Sequence, residues 1–187
     1  MIDLLGQLRI QARANRLANH RLHAAMAPLT RDELHAPRTS FFPSLMATLQ
    51  HILAVDVYYI AALHREADMV QQYERAPCHD TLATLAPAQG QADARLIAFC
   101  DSLDGAGAEG VIELQRTDHV QRERVAHVLA HLLAHQVHHR GQVHAMLAST
   151  RIAPPQLDEF LLPSEAHLRV ADMAALGWRE ADVYGPN

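Results

Sequence analysis

The chain has only two cysteines in 187 residues, Cys78 and Cys100, and neither lies in a CxxC pair. That scarcity argues for reduced thiols in a cytoplasmic protein and against a disulfide framework. Basic residues are also few: 16 Lys and Arg against 21 Asp and Glu, for a formal charge of −5. A surface that binds nucleic acid by neutralising phosphates is thereby excluded. No uninterrupted apolar run approaches the roughly 20 residues that span a bilayer. The start, Met1-Ile-Asp-Leu-Leu5, lacks the basic residues and small-residue cleavage site of a secretory signal. The expectation is a soluble cytoplasmic protein with no membrane and no nucleic-acid partner. Several catalytic signatures are missing as well: there is no GxSxG elbow, P-loop, Rossmann glycine pattern or HExxH. Neither cysteine has the helix-start or basic setting of a nucleophile.

What remains is helical periodicity punctuated by Pro and Gly. Long helices are expected at about 2–26, from a start marked by Ser40 and Pro43 to 66, from one opened by Pro77 and Asp80 to 103, and at 124–149, with Pro43 in the first turn of the second. Thr30 and Glu33 have the spacing of a capping box for a short extra turn. Pro87 to Gly90 marks a break within the third helix, and Asp104 to Gly110 reads as a flexible loop. Val111–Gln115 and Val120–Arg124 fit a small hairpin turning at Thr117-Asp118-His119. The predicted fold is all-α, a four-helix bundle over residues 1–162. A C-terminal extension, 163–187, either packs on it or trails from it, with a short helix at 163–176. Bundles of this kind commonly build metal sites from inward-facing side chains.

Fourteen histidines are many for this length, and they cluster. In His135-Gln-Val-His-His-Arg-Gly-Gln142, His135 and His139 lie one helical turn apart, so their Cβ atoms sit roughly 5–6 Å from one another on one face. Two imidazole nitrogens at that spacing can converge on one metal ion about 2 Å from each. At about 100° per residue, Val125, Leu129, Leu132, Val143 and Leu147 form an apolar stripe. His139 falls inside the stripe and His135 on its edge. His127, His131 and His138 step away from it, the first two as a solvated ladder, and His144 points elsewhere. The third candidate ligand is His51, in a helix apolar almost all round, where a polar ring must be paired or coordinated. Asp56 shares that helix. It reads first as a structural partner of Arg140, and second as a group that orients a ligand histidine. Leu133 and Val137 lie off the stripe and fit a homodimer surface or a seat for the tail.

At these residues the chain resembles the DinB/YfiT superfamily of metal-dependent enzymes, a damage-inducible family unrelated to the like-named polymerase. The resemblance runs from Ala14-Asn-Arg-Leu-Ala-Asn-His-Arg-Leu22 to about Leu162. It is carried by Phe41-Phe-Pro-Ser44, Thr48-Leu-Gln-His-Ile-Leu-Ala-Val-Asp56, the His135–Gln142 run and Pro154-Pro-Gln-Leu-Asp158. It implies an up-down-down-up bundle, usually dimeric, with a divalent ion on three histidines corresponding to His51, His135 and His139. Leu17 and Tyr59 stand where relatives often carry tryptophan. Characterised relatives include transferases of low-molecular-weight thiols and a mycothiol-dependent isomerase, so the substrate does not carry over.

The leading expectation is an enzyme holding zinc, nickel or iron with an open coordination position. There a water or a thiol such as glutathione would lose its proton near neutral pH, for thiol transfer or hydrolysis of a small molecule. The rival is a non-catalytic, stress-related bundle with a structural or sensory metal, which would normally need a fourth ligand such as His131 or Asp56.

Overall fold

The computed structural model describes residues 3–185. Four long helices make up the bundle: α1 (Leu4–Met26), α3 (Leu45–Leu63), α5 (Leu82–Ser102) and α7 (Val125–Leu147). Between them stand short helices α2 (Arg31–His35), α4 (Met69–Glu74) and α6 (Gly105–Glu109). A hairpin of β1 (Val111–Gln115) and β2 (Val120–Arg124) leads into α7.

Side-chain pairs fix the helix directions. Arg13 meets Asp101 while Asn19 meets Asp93, so α1 and α5 run antiparallel. Gln89 bonds Asp56 and Arg95 bonds Glu66, which makes α5 and α3 parallel. His51 faces His135 while Tyr59 faces His131, so α3 and α7 are antiparallel. The order is therefore up-down-down-up. Each helix has two bundle neighbours, α1 packing on α5 and α7, and α3 on the same two.

Local chemistry explains where the elements begin. Asp3 caps α1 by accepting from the Gly6 amide, and Thr30 with Glu33 completes the expected capping box on α2. The predicted start of α1 at Ile2 lies outside the described residues. For α3 the expectation needs correction. Its cap is Ser44, which accepts from the Ala47 amide at 3.1 Å, so Pro43 precedes the helix. Phe42 is thereby left on the entering strand of chain, free to fold back over the helix.

Pro87 does not break α5. It lies exposed in the second turn, where solvent can satisfy the carbonyl it leaves unpaired. At Gly90 the absent Cβ leaves room for the Arg16 guanidinium, which passes 2.6 Å from where a Cβ would stand and reaches Asp93 at 3.4 Å. The segment expected as a flexible loop contains α6, capped by Asp104 accepting from the Gly107 amide at 2.6 Å and anchored by buried Ala108. Helix α4 had no sequence signal of its own; only Met69 is buried.

By length and composition α3 would pass as a membrane span, the one such helix among the described residues. Most of it is buried within the bundle, and it carries Asp56, as a core helix does. Leu133 packs against the core, whereas Val137 is 65% exposed.

The C-terminal extension is docked and not trailing. Phe160, Met173 and Val183 pack on Leu17 and Ala18 of α1. Pro163–Leu168 and Glu180–Val183 are 3-10 turns around α8 (Val170–Leu176). Arg169, fully buried, donates to the Phe160 and Leu162 carbonyls and the Tyr184 hydroxyl, and pairs with Glu180. Removing that guanidinium leaves carbonyls unsatisfied in an apolar seat. Arg169→Ala should lower unfolding free energy by about 2–4 kcal/mol in urea titrations. Limited proteolysis should then cut first within 160–185; unchanged cleavage would show that the guanidinium does not hold the extension.

Candidate metal centre

Because α3 and α7 are antiparallel neighbours, His51 meets His135 and His139 from across the helix pair. One nitrogen from each ring falls in a group whose members all lie within 4.8 Å of one another. His51 Nε2 and His135 Nε2 are 3.0 Å apart. The ring centroids are 4.4–5.0 Å apart. His139 is buried and the other two are half-buried. Burial, and next the neighbouring His139 ring, hold His51 below the ordinary imidazole range, while burial and the neighbouring rings of His139, His51, His131 and His138 push His135 down to about 4. Both rings are therefore neutral near pH 7 and offer lone pairs.

Two features fit a cation at this point. Nitrogens 3.0 Å apart stand where two ligands about 2 Å from one ion would. His139 Nδ1 is 2.8 Å from Gln142 Oε1, so Nδ1 donates and Nε2 keeps its lone pair for the cluster. Gln142 also reaches His138 Nε2 at 3.1 Å. The ring of Phe42 lies 4.3 Å from that of His51 and 5.7 Å from that of His139, covering one side of the group. His135 Nδ1 is buried without a hydrogen-bond partner.

Asp56 and Arg140 do not meet directly, and neither hydrogen-bonds a histidine of the group. The amide of Gln136 stands between them: its nitrogen donates to Asp56 Oδ2 and its oxygen accepts from Arg140 Nη1 at 2.9 Å. Gln89 donates to the same Asp56 oxygen at 2.5 Å. Arg140 Nη1 also reaches Asn15 and Asn19, whose amides donate to Asp93. Burial and the charge of Asp93 push Asp56 up to about 7, and burial raises Asp93 too. Burial lowers Arg140 to about 10. These groups form a polar spine inside the bundle, set apart from the histidines.

The other side of the histidine group opens into a cleft of about 860 Å³. Tyr58 and Tyr59 of α3, Tyr73 of α4 and Arg116 of the hairpin turn form its far wall. His131, exposed on α7, also lines the cleft, its ring 5.3 Å from that of Tyr59. His127 and His138 are exposed, and His144 contacts the Pro155 carbonyl at 3.0 Å. Sequence reasoning missed Gln136, Gln142 and the cleft wall. Gln142 follows His139 by three residues, a spacing that shares a helix face, and Gln136 continues the buried stripe through Leu132. Nothing in the sequence announced Arg116 or Tyr73, which chain distant segments bring together.

Residues 8–172 match the DinB family. The chain belongs to that family. No curated protein matches the chain. The DinB match includes all three histidines, the polar spine and the hairpin, and it continues past residue 162 into the C-terminal extension.

The spine of this DinB-family protein makes stability depend on pH. Folded Asp56 keeps its proton up to about pH 7, against 3.8 for the ordinary carboxyl. Its contribution is fully present below the lower value and is lost as pH rises through the upper one. The imidazoles of His23 and His135, both pushed down by burial to about 4, act in the opposite sense, so the Asp56 contribution is read as a difference between proteins. Asp56→Asn keeps an acceptor for Gln89 and Gln136, and between about pH 4 and 8 wild type should lose on the order of a few kcal/mol of urea-unfolding free energy relative to it. Equal slopes would mean that Asp56 is ionised in the folded protein.

Proposed function

We propose that this DinB-family protein holds one divalent ion, zinc, nickel or iron, on His51, His135 and His139, and acts on a small molecule in the adjoining cleft. The reaction class is thiol transfer or hydrolysis. One observation carries the reading: the three-histidine group opens on one side into the cleft and is closed on another by Phe42.

A divalent ion on three neutral imidazoles keeps its full double charge and so acidifies a thiol or water presented to it. The chain's own groups do the rest. Gln142 fixes the His139 ring and its tautomer. Phe42 keeps water from the back of His51 and His139. The tyrosine wall supplies apolar surface for the body of a substrate. His131, exposed on α7, adds an imidazole face beside Tyr59 to the cleft lining.

A purely structural metal would normally have four protein ligands. Among the described residues the group numbers three, and Asp56 is engaged by Gln89 and Gln136. That favours the open, reactive site over the structural one.

Elemental analysis of untagged protein tests this directly. About one ion per chain is expected, with His51→Ala and His139→Ala both losing it. Gln142→Ala should weaken metal affinity by about 10–100-fold while leaving the fold intact. Chelation should lower the melting temperature only slightly and abolish thiol-dependent turnover. Full metal content in His139→Ala would overturn the site, and collapse of the fold on chelation would make the metal structural.

A further inference from the structure

The cleft beside the histidines contains one guanidinium and no other lysine or arginine. Arg116 follows β1 in the hairpin turn, held by its backbone amide donating to the His119 carbonyl at 2.9 Å. Its side chain is fixed on two sides. Nε donates to Gln121 Oε1 at 3.1 Å, and one Nη donates to the Tyr59 hydroxyl at 3.2 Å. Its Cζ lies 5.5 Å from the Tyr58 ring centroid and 5.7 Å from that of Tyr59. Tyr58 is itself tied to the hairpin, donating to the Gln115 carbonyl at 2.6 Å. Nη1 makes no hydrogen bond to any described residue, and Arg116 has no carboxylate partner among them.

The half-buried guanidinium is oriented by neutral groups, no carboxylate is in hydrogen-bond contact with it, and Glu123, held by Gln121, acts on it only from beyond contact. The acids in the cleft do not neutralise it: Asp118 bonds His119 at the exposed tip of the turn, and Glu74 is exposed. Ordering a guanidinium against aromatic faces with donors left over is how planar oxyanions are recognised, because little further freedom is lost on binding. Among the cleft's side chains a single cation matches a single negative charge, and the two rim acids, Asp118 and Glu74, weigh against a dianion at Arg116 once the ion is removed.

We infer that Arg116 is a specificity residue that anchors a carboxylate on the substrate of the cleft, with the tyrosines taking its apolar or aromatic body. This rests on the reading of the cleft as the substrate site. It does not depend on which ion the histidines hold, since Arg116 binds through its own N–H groups.

Calorimetric titration of the full chain with 3-phenylpropanoate and its uncharged amide tests the inference, with phenyl phosphate as a third probe. Each is titrated into the protein as purified and after chelation, for wild type and Arg116→Gln, with metal content measured alongside. Wild type should prefer the carboxylate to the amide by about tenfold, with or without metal. Arg116→Gln should lose the preference while retaining its metal and melting temperature. A preference unchanged in Arg116→Gln and abolished by chelation would assign the carboxylate to the ion instead, and would overturn the inference while upholding the metal site. Tighter binding of phenyl phosphate than of the carboxylate to the chelated protein, or no binding of the carboxylate to wild type, would also overturn it. Loss of the preference in Arg116→Gln in a protein that carries no metal would uphold Arg116 and refute the metal reading.

Discussion

Gln136 and Arg140 each follow one of the two α7 histidines, and both are tied into the buried spine that crosses to Asp56, Gln89, Asp93, Asn15 and Asn19. This spine fixes the rotation of α7 about its own axis. Turning α7 away would strand two carboxyl groups and a guanidinium in the bundle interior, where an unpaired charge costs about 3–5 kcal/mol. Apolar packing alone tolerates small rotations, since one leucine can replace another in a groove. Hydrogen bonds between amides, carboxyls and a guanidinium do not. His135 and His139 inherit their direction from that constraint, and with it their approach to His51.

The spine and the histidine group use opposite strategies for burying polar atoms. In the spine almost every polar atom is answered by another, Asp56 Oδ1 being the exception, and raised carboxyl pKa values reflect what burial leaves unbalanced. In the histidine group the rings face one another with lone pairs converging, an arrangement with little to hold it unless a cation or proton lies between. Each group leaves one buried atom unpartnered, Asp56 Oδ1 in the spine and His135 Nδ1 among the histidines, but only in the histidine group do ring nitrogens stand face to face. The hairpin and α4 add what a bare bundle lacks. Tyr73, Gln115, Arg116 and their neighbours on these elements line one cleft together with the three histidines.

Much of the bundle could be read from the chain because helix formation is local. Apolar periodicity, the Thr30–Glu33 box and proline positions mark segments without reference to partners. The errors were local as well. Pro43 suits a first turn where Ser44 is the cap, and Pro87 suggests a break where exposure lets the helix continue. The glycines of 104–110 hid a short helix that a single aspartate cap starts. His135 and His139 were legible because one helix sets their spacing. His51 was legible only as a histidine in a helix too apolar to leave it unpaired.

The sequence by itself determined the helices, the phase of His135 and His139 on α7, and the burden of polar groups the interior would have to satisfy. These follow from 3.6 residues per turn and from the cost of burying an unpaired polar atom. Only the tertiary structure decided that Gln136 stands between Asp56 and Arg140, that Gln142 orients His139, and that Arg116 and Tyr73 share a cleft with the histidines. Each of these depends on which helices lie side by side and in which direction. That is set by the sum of many weak contacts between distant segments, and no single stretch of sequence records it.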